Sequence, residues 1–177
     1  MLSLGIDGSA TATGLVVLEA APGSNTPGLR HEEVVKVKST GLQRCSDIAE
    51  KMLDVLERFA PERVAIEGYG FANPHSLATL VEVGTILRYF LRQKGFRYLE
   101  PSPNALKKFV LGKGQVKKDQ MLLHVFKRWG HEAKDDNTAD AYGLACIGLL
   151  HAGCLPGPTN AMLEVVGSLK MAPGVAG

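Results

Sequence analysis

Cysteine is scarce in this chain, and the three present, Cys45, Cys146 and Cys154, are odd in number and lack metal-type spacing. That argues against a disulfide framework and fits free thiols in a reducing cytoplasm. Histidine supplies no alternative. His31, His75, His124, His131 and His151 are scattered, so no Cys/His cluster competes for zinc. No apolar stretch approaches the ~20 residues of a membrane span, and no basic region precedes an apolar one at the N-terminus. The expectation is a soluble, unexported, cytoplasmic protein. Internal repeats and low-complexity segments are absent, and no elbow motif supports a Ser-His-Asp triad. What the 177 residues do carry is 45% apolar and 21% charged side chains, ordinary values for one well-buried core.

The net charge of +2 conceals an asymmetry. Pro101 to Lys134 holds eight Lys and Arg against two acids, Asp119 and Glu132, while the remainder holds twelve bases and sixteen acids. A basic region on a mildly acidic body implies a local polyanion contact. Lys107, Lys108, Lys113, Lys117 and Lys118 flank a turn interrupted by glycines, so several ammonium groups can reach phosphates from one side. Lysine charge of this kind reads backbone rather than base sequence.

The stretch that organises the chain is Met1 to Gly14, MLSLGIDGSATATG. Its apolar run, Leu2 to Ile6, predicts a short buried strand that delivers Asp7 at its end. A small-residue turn and a second strand, Leu15 to Leu18, complete a hairpin. An acid at that rim is costly to desolvate unless a cation pairs with it, although an Asp beside glycines also simply bonds turn amides. The Pro/Gly-rich loop Ala20 to Arg30 then leads to a third strand, His31 to Ser39. Helical spacing takes over from Arg44 to Ala60, with Ile48, Met52, Val55, Leu56 and Phe59 on one face, and Pro61 ends it.

RVAIE, Arg63 to Glu67, repeats the opening arrangement: a short buried strand with a carboxylate at its C-terminal end. A loop with two aromatics, Tyr69 and Phe71, precedes a helix from about Pro74 to Gln93. Gly84 in mid-helix costs roughly 1 kcal/mol relative to Ala, which close approach of another backbone would offset, within the domain or from a symmetry mate. Phe96 to Leu99 is expected as a fifth strand. A short helix after Ser102 to Val110 follows, then a break at Gly112-Lys113-Gly114 and a helix from Lys117 to Trp129. The last long helix spans about Asp136 to Ala152. The expected fold class is α/β, a five-stranded mixed sheet flanked by helices: an antiparallel three-strand meander plus parallel strands. Residues 1–153 form the domain, and residues 154–177 a partly flexible tail with a helical turn or two around Ala161 to Leu169. The first and fourth strands are expected to be neighbours.

The third acidic site is Asp135-Asp136-Asn137-Thr138-Ala139-Asp140. Asp136 and Asp140, or Asn137 and Asp140, share a helical face. Asp135 or Asp136 also suits an N-cap, where acids favour the macrodipole. Asp140 lies beyond the cap and precedes small residues that permit close packing on a sheet. With Asp7 and Glu67 it makes one pocket of oxygen ligands suited to Mg²⁺ or Mn²⁺. Two such ions stabilise the entering and leaving oxygens of phosphodiester hydrolysis.

GIDGSATATG, VAIEGYGFANPHSLATLVEVGTILRYFL, PSPNALKKFVLGKGQVKKDQM and DDNTADAYGLA, in this order and spacing, resemble the RuvC-type Holliday junction resolvases of the RNase H-like superfamily. The resemblance covers roughly Leu2 to Ala152. It implies an RNase H-like fold, a homodimer, and metal-dependent symmetric nicking of four-way DNA junctions. It also implies that Asp7, Glu67 and Asp140 are metal ligands and that Lys107 and Lys118 lie near the scissile phosphate, Lys118 as a catalytic residue. Lys108, Lys113 and Lys117 would contact DNA, and Tyr69 or Phe71 the unpaired bases. The family usually has Asp or His three residues before the last acid, where this chain has Asn137. Asp136 is the favoured fourth ligand and Asn137 its alternative. The divergent loop and this variant motif are more similar to phage-encoded relatives than to the cellular enzyme. The competing readings are another RNase H-like nuclease (flap, RNA–DNA hybrid or ribosomal RNA precursor), a junction-binding protein that has lost catalysis, and a sugar-kinase or actin-type phosphate-binding domain. The last would need two large domains.

Overall fold

Period-two alternation along the apolar strands sorts the core into two layers. The computed structural model describes residues 1–9, 12–21, 25–70, 74–112 and 120–172. Strands β1 (Leu2–Asp7), β2 (Thr13–Glu19), β3 (Gly28–Val35) and β4 (Arg63–Ile66) form one sheet in the order β3-β2-β1-β4. The first three are an antiparallel meander, and β4 joins β1 in parallel, as expected of the first and fourth strands. Leu4, Ile6, Leu15, Val17, Val64 and Ile66 face α1 (Gly41–Phe59) and α2 (Pro74–Gln93). Val16, Leu18 and Ala65 face the opposite layer, built from α3 (Pro103–Leu111), α4 (Gln120–Trp129), α5 (Asp136–His151) and α6 (Asn160–Ser168).

The sheet has four strands rather than five. The segment expected as the fifth makes a single parallel bridge, Leu99 to Ala65. Leu99 donates to Val64 O at 2.9 Å and accepts from Ile66 N at 3.0 Å. The next bond of a parallel ladder needs an amide hydrogen on residue 101, which is proline, so the ladder stops. β3 likewise ends at Val35, not Ser39, because Val35 already pairs with Thr13, the first residue of β2. At the C-terminus, Leu155, Met162 and Val165 are buried in the α3–α5 layer, and Ala172 N donates to Tyr98 O at 2.8 Å. Residues 154–172 are thus packed onto the domain.

α5 is the helix closest to the sheet. A Cβ on Gly5 would lie 1.9 Å from Ala141 O, and one on Gly14 would lie 2.2 Å from Asn137 O. Only glycine at these two strand positions lets the backbones approach this far. The helix answers with a stripe at helical spacing, Asn137, Ala141, Ala145 and Gly148, laid against β1 and β2.

Candidate active site

Alternation also aims the acids. Asp7 shares a face with Gly5, and Glu67 shares one with Ala65, so both point towards α5. Ile6 and Ile66 are register partners, and Glu67 N donates to Ile6 O at 3.1 Å. The two carboxylates therefore leave adjacent strand ends side by side. The close-packed α5 brings Asp140 to both, and its charge bears on each.

Asp7 is only 6% exposed. Burial first, then the Glu67 and Asp140 charges, hold its carboxyl well above the usual range. Glu67 is pushed up to about 7 by burial and by Asp140, partly opposed by the Lys107 ammonium. Among the described residues, no three Asp, Glu, His or Cys side chains stand in a ready-made metal-ligand arrangement. Asp7 and Glu67 hydrogen-bond to each other instead, sharing a proton as crowded carboxyls do.

The residues preceding Asp140 take distinct positions. Asp135 is the N-cap of α5, accepting from Thr138 N at 3.0 Å in a reciprocal capping box. Asp136 follows as the first helical residue and is exposed. Asn137 sits over Gly14, and with its amide turned so that the nitrogen faces the two neighbouring acceptors, it donates to Ala12 O at 3.0 Å and to Asp7 Oδ2 at 3.2 Å. Of the two sequence candidates for a fourth ligand, Asn137 is thus the one beside Asp7. The signal was the small-residue stripe: counting back in fours from Ala145 and Ala141 reaches Asn137, not Asp136.

The basic and aromatic candidates separate as well. Lys107 on α3 bears on Glu67, whereas the next residue, Lys108, points to α6 and pairs with Glu164 at 2.5 Å. The Tyr69 hydroxyl lies 3.1 Å from Thr85 Oγ1 on α2. Phe71, Lys113, Lys117 and Lys118 lie outside the described residues. Sequence reasoning missed Arg88, whose guanidinium donates to the Glu67 carbonyl at 2.7 Å. An arginine four residues after a mid-helix glycine was the available sign.

A meander extended by a parallel strand, with carboxylates gathered between two strand ends and a crossing helix, defines an RNase H-like α/β protein. The family model described as "Crossover junction endodeoxyribonuclease RuvC" matches residues 3–148. The chain belongs to that family, and its class is that of an endodeoxyribonuclease. It is 29% identical over 143 residues to the RuvC endonuclease of Hydrogenovibrio crunogenus, covering 78% of this chain and 81% of that one. The Campylobacter jejuni counterpart is 29% identical over 157 residues, covering 88% and 98%. Thermus thermophilus RuvC, solved in complex with a Holliday junction substrate, superimposes with a TM-score of 0.75 at 26% identity, covering 97% of this chain and 99% of that one.

Proposed function

We propose that this chain resolves four-way DNA junctions as a homodimer, each protomer hydrolysing one phosphodiester at a divalent-metal site held by Asp7, Glu67 and Asp140. The observation that carries the reading is the approach of those three acids, from two strand ends and one helix, close enough that the Asp140 charge bears on both the buried Asp7 and Glu67. Nucleases of the family are divalent-metal dependent. The donor set fits such an ion: hard carboxylate oxygens whose desolvation and mutual repulsion a cation relieves. Mg²⁺ or Mn²⁺ is the ion we assign, as a pair. Bound to those carboxylates, the ions would supply charge neutralisation for the phosphodiester and lower the cost of ionising an attacking water.

The chain's own groups do the rest. Asn137 holds the Asp7 carboxyl and the Ala12 carbonyl, which supports a positioning role and leaves Asp136 to the helix terminus. Lys107 supplies positive charge beside Glu67, where a phosphate would enter. Lys113, Lys117 and Lys118 are assigned to the same phosphate track from the sequence, Lys118 nearest the reaction. Lys108 reaches DNA only if it exchanges Glu164 for a phosphate.

The test is cleavage of labelled four-way junction, flap and linear duplex with and without Mg²⁺ or Mn²⁺. Paired symmetric nicks are expected on the junction alone. Asp7→Asn should lower the rate by at least about 100-fold, on the scale of a lost transition-state stabiliser, while junction binding persists. Asn137→Ala should slow cleavage by roughly tenfold, as loss of a ligand-orienting partner does, with Asp136→Asn near wild type. Metal-dependent cleavage retained by Asp7→Asn would sink the site. Preferential flap cleavage would overturn the substrate.

A further inference from the structure

Arg88 lies in mid-α2 with its side chain only 12% exposed. Its guanidinium meets four partners. Nη2 donates to the Glu67 carbonyl at 2.7 Å and to Glu100 Oε1 at 2.8 Å. Nε donates to the same Glu100 oxygen at 3.1 Å, and Nη1 to Gly84 O at 2.9 Å. The fourth partner is the Tyr69 ring, whose centroid is 4.4 Å from the guanidinium carbon. Tyr69 is itself tethered to α2 through its hydroxyl, which also donates to Val81 O at 3.4 Å. A Cβ on Gly84 would lie 2.7 Å from Arg88 Nη1 and 2.8 Å from Tyr69 Cε1. The mid-helix glycine therefore makes a socket for two side chains of its own chain, not room for another backbone.

The location of this cluster gives it a consequence. β4 ends at Ile66, so Glu67 has already left the regular ladder. Its amide is held by Ile6, and the following amide, Gly68 N, by Pro101 O at 2.8 Å. The carbonyl between them is held by Arg88. A carboxylate whose backbone turns by a few degrees moves its oxygens by a large fraction of an ångström, and ligand sets tolerate little of that.

We propose that Arg88 is a positioning residue of the active site: it fixes the peptide that follows Glu67, and hence the Glu67 carboxyl, while Tyr69 acts as the plate that holds the guanidinium. The inference rests on the metal-site reading above. It assigns Tyr69 to the protein rather than to DNA, which leaves Phe71 as the base-contacting aromatic of the two. Arginine is required because a planar fork can satisfy Glu67, Gly84 and Glu100 together while stacking on a ring, and an ammonium cannot.

The test measures Mn²⁺ binding to DNA-free protein from the paramagnetic resonance signal of free Mn²⁺, with junction affinity in chelator and thermal unfolding measured in parallel. Arg88→Met should weaken Mn²⁺ affinity by about tenfold or more, the usual effect of losing an outer partner of a metal ligand, with junction affinity unchanged. Arg88→Lys should recover only part of the loss. Tyr69→Phe, which keeps the stack, should bind Mn²⁺ as the wild type does, and Tyr69→Ala should bind it more weakly with full junction affinity. Wild-type Mn²⁺ affinity in Arg88→Met overturns the proposal, whether or not the melting temperature falls. So does a Tyr69→Ala protein that loses junction affinity and keeps Mn²⁺ affinity. If Arg88→Met does not fold, Arg88→Lys and Glu100→Gln decide: wild-type Mn²⁺ affinity in both overturns it. Wild-type protein that binds no Mn²⁺ is a separate result, and it removes the metal site itself.

Discussion

Glu67 is under opposing pressures. Burial and Asp140 raise its carboxyl to about 7, and Lys107 pulls it back. In the unfolded chain the same group titrates near 4.5, so between those two pH values the metal-free fold binds the proton that the unfolded chain has released. Stability is then greatest below about pH 4.5 as far as this group is concerned, and is lost as pH rises towards about 7. Asp7, raised by the same burial, adds in the same direction. Metal binding should reverse the trend, because the ions replace the shared proton and their affinity grows as the carboxyls ionise. Thermal unfolding in chelator across that interval should show the melting temperature falling with pH, and a divalent titration should restore it with release of protons. A chelated protein that gains stability from pH 5 to 7 would contradict the shared-proton picture.

The decisive element is α5. It caps itself through Asp135 and Thr138, and its stripe of small residues lies directly on β1 and β2. Gly5→Ala places a methyl 1.9 Å from Ala141 O and 2.5 Å from Ala145 N, both backbone atoms that cannot swing aside. The helix must lift, carrying Asn137 and Asp140 away from Asp7. We expect a destabilisation of roughly 3 kcal/mol, a melting-temperature drop of about 6–12 °C for a chain of this size. Cleavage should fall further than the unfolded fraction explains. Gly167→Ala in α6, where nothing lies within 4 Å of the new methyl, should be neutral or slightly stabilising in the same melts. Equal effects of the two substitutions would show that helix propensity, not close approach, governs these positions.

On the scale of the whole molecule, two opposed nicks need two active sites related by a two-fold axis. The outer side of α2 leaves Leu77 38%, Val81 38% and Tyr89 54% exposed, and Leu42 of α1, 73% exposed, shares a groove with Val81. Apolar exposure of this extent on one helix supports a self-complementary contact there. Val81→Glu should give monomers in sedimentation that bind a junction and nick one strand at a time. Gly84 is not suited to this test, since its socket is filled from within. A wild-type protein that sediments as a monomer on junction DNA and still makes paired nicks would remove the dimer.

How much was legible beforehand differs by the range of the interaction concerned. The apolar runs that deliver Asp7 and Glu67, the amphipathic α1 and the capped start of α5 are patterns written over a few consecutive residues, and the sequence alone determined them, as its ordered motifs determined the family. The loss of the fifth strand was half visible, because Pro101 was in plain sight but its place in the ladder depended on β4. Whether Asp136 or Asn137 faces Asp7, that Lys107 and Lys108 diverge, and that Gly84 houses Tyr69 and Arg88 were decided by tertiary structure only. Each depends on the rotation of a helix about its axis, and neighbouring residues differ there by about 100°. Local preference scarcely distinguishes such rotations; packing against Gly5, Gly14 and the sheet selects one.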